Sequence, residues 1–277
     1  MQLGIFSTVF ERPTLAARLD AIRDAGFGAV QFHMQCAGLA PMPEVIDDAL
    51  AQAIGDAHRA RGLTVAALSG TFNMIHPDEG VRERGFAGLA AVARAAALMG
   101  APVVTLCSGT WDTESMWRAH PDNQNAAAWA RCEAAMQRAA ALGGQHGVIM
   151  AFEPEVANVL DSAARARRML DSIGSPWLKV VFDGANIFHH GELARQHAII
   201  DEAIALLGRD IVHAHAKDLD QDGAAGKLAA GTGVLDYPHY LAGLRRAGFA
   251  GPLVLHGLSE AQVAACRAFV ADALARA

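Results

Sequence analysis

Four apolar runs in this chain end on side chains able to hold a divalent metal: Val148-Ile-Met-Ala-Phe-Glu153, Leu178-Lys-Val-Val-Phe-Asp183, Ile211-Val-His-Ala-His215 and Pro252-Leu-Val-Leu-His256. Apolar runs of this length, bounded by Gly or Pro, read as buried parallel strands whose ends pass into solvated loops. If the four strand ends are equivalent, Glu153, Asp183, His215 and His256 bring two carboxylates and two imidazoles to one mouth. Mixed oxygen and nitrogen ligands suit Mn2+, Fe2+, Co2+ or Zn2+ better than Ca2+ or Mg2+, which prefer oxygen alone. Any one of these residues is ordinary where a strand meets water. Their recurrence in successive units is what points to a single shared cation.

Other polar groups crowd the same strand ends. The second strand ends at Gln31-Phe-His33, the third at Ser69-Gly-Thr-Phe-Asn73 with His76 nearby, and the fourth leads to Trp111. Glu155, Asn186, His189 and Lys217 follow the later strands. A sugar or polyol needs this mixture, hydrogen-bonding groups for its hydroxyls and an aromatic plate for its C–H face. Plainer roles stand beside these: loop packing for Trp111, a structural or surface position for His33, His76 and His189, and an ion pair with Asp218 or Asp220 for Lys217.

The elements that must position these groups are legible in the periodicity. Strand-like runs begin near Leu3, Gly28, Thr64, Pro102, Val148, Leu178, Ile211 and Pro252. Between them, apolar residues recur at helical spacing: Leu15, Leu19 and Ile22; Ile46, Leu50 and Ile54; Phe86, Leu89 and Val92; Ile204 and Leu207; Leu241 and Leu244. These stretches stop at Gly26, Gly62, Gly100, Gly208 and Gly248, where glycine is expected to supply a left-handed C-cap. Eight strands alternating with seven or eight helices imply parallel βα units. The count and length fit a single (β/α)8 TIM barrel over residues 1–277, with a doubly wound open sheet as competitor. No G-x-G-x-x-G follows the first strand, which weakens a dinucleotide-binding version of that competitor. The longest connections, Ser108 to Asn125 and Lys217 to Tyr237, follow strands four and seven. At that end of a barrel such segments read as pocket walls or lids.

Composition narrows the partners. The chain has 277 residues, 52% of them hydrophobic and 6% aromatic, and a formal charge of −6 without any basic stripe. Nucleic acid and acidic membrane surfaces are therefore poor partners. Cys36, Cys107, Cys132 and Cys266 are scattered and form no C-x-x-C pair, as expected of small buried hydrophobes. No signal-peptide pattern and no membrane-length apolar run is present, so a cytoplasmic location is the expectation.

The order of motifs resembles a known family. Glu-Pro closes strand five, Asp-x-x-Asn strand six and His-x-His-x-Lys-Asp marks strand seven, while strand three ends in Ser-Gly-Thr-Phe-Asn. Over essentially the whole chain this is similar to the xylose-isomerase-like TIM barrels, in particular the sugar phosphate isomerase/epimerase group with its ketose 3-epimerases and inosose dehydratases. The resemblance implies one Mn2+-type ion, replaceable by Co2+, Fe2+, Zn2+ or Mg2+, with Glu153, Asp183 and His215 as ligands. The family's fourth ligand is a strand-eight Glu; here His256 stands there, and Glu260 lies four residues on. Asn186 replaces a family His, and Gln221 replaces an Arg, both at positions that contact substrate. The implied activity is a metal-dependent isomerase or epimerase of a small sugar or keto-sugar. It works through an enediolate, with Glu153, His256 and Lys217 as catalytic groups and His33, Asn73, Trp111, Glu155, Asn186, His189 and Gln221 binding substrate. A lyase or dehydratase using the same enolate is the alternative, favoured by the missing second Glu. A non-catalytic sugar-binding barrel is a further one. The apurinic-site endonuclease branch needs more metal ligands and basic DNA contacts than this chain offers. Barrels of this group often form homo-oligomers, and no stripe in the sequence decides it.

Overall fold

Eight strands alternate with eight helices in the computed structural model, which describes residues 1–277. In order they are β1 (Gln2–Phe6), α1 (Leu15–Asp24), β2 (Ala29–Phe32), α2 (Asp48–Arg59), β3 (Thr64–Ser69), α3 (Glu79–Met99), β4 (Val103–Cys107) and α4 (Ala126–His146). The second half continues with β5 (Ile149–Glu153), α5 (Ala163–Ile173), β6 (Leu178–Asp183), α6 (Gln196–Leu207), β7 (Ile211–Ala216), α7 (Tyr237–Arg246), β8 (Pro252–Leu255) and α8 (Val263–Arg276). Each strand pairs in parallel with its sequence neighbours, and β1 pairs with β8 from Gln2 opposite Pro252 to Ile5 opposite Leu255. That last pairing closes the barrel and eliminates the open sheet.

Strand composition follows from this closure. A strand covered by helices outside and by its neighbours' side chains inside has no wet face, so β4 is buried throughout. The inside is packed by the small residues Ala67, Val103, Ala151 and Val181. Because side chains alternate along a strand, Thr105 lies on the same face as Val103, and His215 on the same face as His213. Above the apolar layer the barrel interior therefore turns polar.

The helices begin where a short polar side chain can satisfy a free amide. Thr14, Asp47, Asp78, Asn125, Ser162 and Asp236 each accept from the backbone N–H three residues on. Asp47 starts α2 after Ile46, so Ile46 lies outside that helix and packs against the core from the preceding loop. Glycines with positive φ follow four of the five expected helix ends, at positions 26, 62, 100 and 248. Gly208 is the exception: its φ of −51° is right-handed. Space, and not handedness, requires glycine there, because a Cβ would stand 2.8 Å from that of Ala247.

Turns at the N-terminal end of the barrel are short, residues 100–102 and 147–148 among them, while residues 33–47, 108–125 and 217–236 form long loops over the C-terminal end. Buried Asp218 shapes the last of these by accepting from the backbone N–H groups of Leu219, Gly231 and Leu235. No helix is long and apolar enough to cross a membrane.

Candidate active site

The ends of β5, β6, β7 and β8 converge at the C-terminal mouth. Ligand atoms of Asp183, His215 and His256 lie within 4.8 Å of one another. His256 Nε2 is 3.0 Å from Asp183 Oδ2, and His215 Nδ1 is 3.8 Å from the same oxygen. Glu153 joins from the side, with Oε2 3.4 Å from His215 Nδ1. Its other oxygen, Oε1, accepts from Asn186 Nδ2 at 2.5 Å. Lys217 Nζ sits 3.5 Å from Asp183 Oδ2, so its partner is Asp183 and not Asp218 or Asp220.

These groups are held in states that suit a cation. Burial opposes charge on Asp183, but Lys217 and the hydrogen bond from His256 outweigh it and hold the carboxyl well below the usual carboxylate range. Burial likewise raises Glu153, and positive charge beside it, at His215 when that ring is protonated and at Lys217, reverses the effect, leaving a lowered value. Burial lowers His256 to about 4, His215 and Lys217 adding to the drop while Asp183 opposes it. Its imidazole is thus neutral, the form that ligates. Phe6 stacks on this ring at 4.5 Å and fixes its plane.

Among the buried polar atoms without a partner, one lies in this cluster facing the carboxylates. His215 Nδ1 is buried and makes no hydrogen bond, yet it faces two carboxylates. A buried polar atom without a partner is costly, and such atoms need an explanation. Its other nitrogen explains its state. Gln31 Oε1 receives His215 Nε2 at 3.0 Å and His213 Nε2 at 2.9 Å, while Gln31 Nε2 donates to Thr105 Oγ1 at 3.2 Å. A carbonyl oxygen only accepts, so both imidazoles carry their proton on Nε2, and His215 presents a bare lone pair at Nδ1. The donor set and the orphaned lone pair fit a divalent cation held by Asp183, His215 and His256, with Glu153 beside them.

A cavity of 830 Å3 opens above this cluster, lined by Glu153, His215, Lys217 and His256 among others. His33, Glu155 and Asn186 of the expected substrate contacts line it too. His33 is lowered to about 4, chiefly by burial. Glu155 is raised to about 7 by burial, against the pull of the Ala157 amide, and also accepts from Asn158 Nδ2 at 3.0 Å.

Four expected substrate contacts lie outside the lining. Asn73 spends its amide on the β4 loop, donating to the carbonyls of Thr110 and Asp112 and accepting from the Thr110 N–H. Trp111 packs against the core with the Arg131 guanidinium 4.3 Å above its ring. Half-buried His189 joins a turn through Glu192, and Gln221 is exposed. Glu260 pairs with Arg12 at 2.6 Å, away from the cluster. Sequence reasoning passed over Phe6 and Trp117 in the lining, because it searched strand ends for polar groups and could not say which loop tryptophan turns inward.

A closed parallel barrel with carboxylates and imidazoles gathered at its C-terminal mouth is a (β/α)8 protein carrying a candidate metal centre. The chain belongs to the xylose isomerase-like TIM barrel family, whose sequence model matches residues 19–268. No curated protein matches it in sequence. Among solved structures it is similar to a D-tagatose 3-epimerase-like protein (14% identity, TM-score 0.78, covering 99% of this chain and 97% of that one). It is also similar to an L-ribulose 3-epimerase (21%, 0.75, 99% and 94%) and to a 3-keto-D-glucoside 4-epimerase from E. coli (16%, 0.73, 99% and 98%). At such identities the likeness establishes the shared fold.

Proposed function

We propose that this chain is a divalent-metal-dependent isomerase or epimerase of a sugar carrying a carbonyl. The observation that carries the reading is the buried lone pair of His215 Nδ1, set between Glu153 and Asp183 with His256 beside them. A divalent cation held there would act as a Lewis acid on a substrate carbonyl and its neighbouring hydroxyl, making the adjacent C–H acidic.

The chain's own residues supply the rest. Glu153 removes the proton from the carbon beside the carbonyl. It is fit for this because Asn186 anchors one oxygen and leaves the other directed into the site, where the nearby Lys217 favours its charged form. Lys217, buried and lining the cavity, places an ammonium where enediolate charge develops. His33 is positioned to bind a hydroxyl, while Asn186 spends its amide on Glu153 and the Gly226 N–H. Glu153 returning its proton to the neighbouring carbon gives an isomer, and solvent in the open cavity protonating the opposite face gives an epimer. His256 is assigned to the ligand set, since a ring lowered to about 4 is a poor proton carrier near neutrality.

The lyase reading keeps one observation in its favour: the strand-eight position holds His256, so one carboxylate fewer flanks the substrate. Incubating Mn2+-loaded protein with D-fructose, D-tagatose and D-psicose in D2O, followed by NMR, separates the two. Deuterium appearing in a skeletal isomer supports the epimerase, and loss of water from the sugar supports the lyase. Glu153→Gln is expected to keep the fold and slow C–H exchange by about 10^2- to 10^4-fold. Undiminished exchange in that variant would remove Glu153 from the mechanism.

A further inference from the structure

The cavity is larger than one sugar ring requires. It encloses 830 Å3. A hexose of about a dozen heavy atoms fills at most ~360 Å3, even at the ~30 Å3 that each molecule occupies in liquid water. The metal-ligating groups take the floor. The remaining space lies between the loops of residues 33–47, 108–125 and 217–236, which contribute Gln35, Ser115, Trp117, Arg118 and Lys227 to the lining.

Trp117 is the notable member, a large aromatic left 52% exposed. Looseness does not explain it, because the turn is fastened on both sides. Asn158 Nδ2 donates to the Met116 carbonyl at 3.0 Å and Thr110 Oγ1 to the Arg118 carbonyl at 2.8 Å. Asp112 accepts from the amides of Glu114 and Ser115 and from the Arg118 guanidinium. Holding an indole in water forgoes the stabilisation of burying it. At the rim of a cavity with both polar and apolar lining, however, the same indole is a rigid plate for the C–H face of a sugar ring. Gln35, Ser115 and exposed Lys227 line the same compartment and offer hydrogen bonds to ring hydroxyls, while Pro41, Met116 and Ala119 add apolar surface for the ring's C–H face.

From these observations we infer that the substrate is a two-ring glycoside: the carbonyl-bearing ring sits over Glu153 and Lys217, and a second sugar ring lies on Trp117. This rests on the epimerase or isomerase reading and extends it to the substrate's size. The compartment on Trp117 sets specificity; it takes no part in proton transfer.

Calorimetric titration of the full chain with D-glucose, maltose, cellobiose and trehalose tests it, with Mn2+ binding measured on the same sample. At least one disaccharide is expected to bind about tenfold more tightly than D-glucose. Trp117→Ala is expected to abolish that advantage while leaving D-glucose binding within about twofold of the parent. Disaccharides that bind no better than D-glucose overturn the inference, as does a Trp117→Ala loss equal for one ring and two. Circular dichroism of the variant checks that the barrel is intact. Failure of the function reading shows separately, as absence of Mn2+ binding or of C–H exchange, and leaves the ring comparison readable.

Discussion

Gln31 touches no proposed ligand atom and still decides what the site can hold. By accepting from Nε2 of both His213 and His215 it forces one tautomer on each ring and turns the His215 lone pair toward the carboxylates. Gln31→Met keeps length and apolar bulk but removes the acceptor. It is expected to weaken Mn2+ or Zn2+ binding by about 10- to 100-fold, the usual cost of losing a partner that orients a ligand. Nitrogen NMR of the metal-free protein gives an independent reading. The parent should show His215 protonated at Nε2, and Gln31→Met a mixture of tautomers. Unaltered affinity together with an unaltered tautomer would show that the glutamine does not orient the ring. The four ligand candidates were legible in the sequence because each closes an apolar run, a local pattern. Gln31 stands near the end of one too, but its role depends on meeting His215, 184 positions away across the barrel. No local pattern encodes that meeting.

At the scale of elements, periodicity served the strands and most helices well, since a closed barrel makes each βα unit solve the same burial problem. Boundaries shifted where a cap decided them, as when Asp47 began α2 and left Ile46 outside. The loops were the weak point. Asn73 and Trp111 have types suited to a sugar, yet the structure employs them to brace the β4 loop, and a loop tryptophan six residues on, Trp117, faces the cavity. Loop direction is set by hydrogen bonds such as those of Asp112 and Asn158, which follow no period. Gly208 shows the same limit at a helix end: the glycine was legible but its reason was not. There α6 runs against the turn after α7, with room for a hydrogen and none for a methyl. Gly208→Ala is therefore expected to destabilise the protein by about 1–3 kcal/mol, the ordinary cost of overpacking. Urea denaturation measures it, and adding Ala247→Gly should restore part of the loss if that methyl is the obstacle. A Gly208→Ala protein as stable as the parent would mean the two helices separate freely.

For the whole molecule, the main consequence of this architecture is a set of histidines kept neutral by burial. His58 lies on α2, far from the mouth in sequence and wholly inside. Its Nδ1 donates to the Ile54 carbonyl at 2.7 Å, its Nε2 has no partner, and its ring meets the edge of Phe32. Burial lowers its pKa, and the nearby Arg61 and Arg59 add to the shift. His213 is lowered still further, by burial and by His215 and His256. The unfolded chain binds these protons near pH ~6.5 while the folded one does not. The native state thus holds fewer protons below that pH, and stability, full above it, declines as the pH falls toward the folded values. Each proton taken up only on unfolding steepens the decline by about 1.4 kcal/mol per pH unit. In the presence of a chelator, so that metal linkage plays no part, the urea midpoint should fall steadily between pH 7 and pH 5. His58→Phe fills the same apolar site without a titrating group and should make that fall shallower, at whatever absolute stability the variant has. A slope identical to the parent's would show that His58 is already free to take a proton in the folded barrel, and that the interior around α2 is wetter than its packing implies.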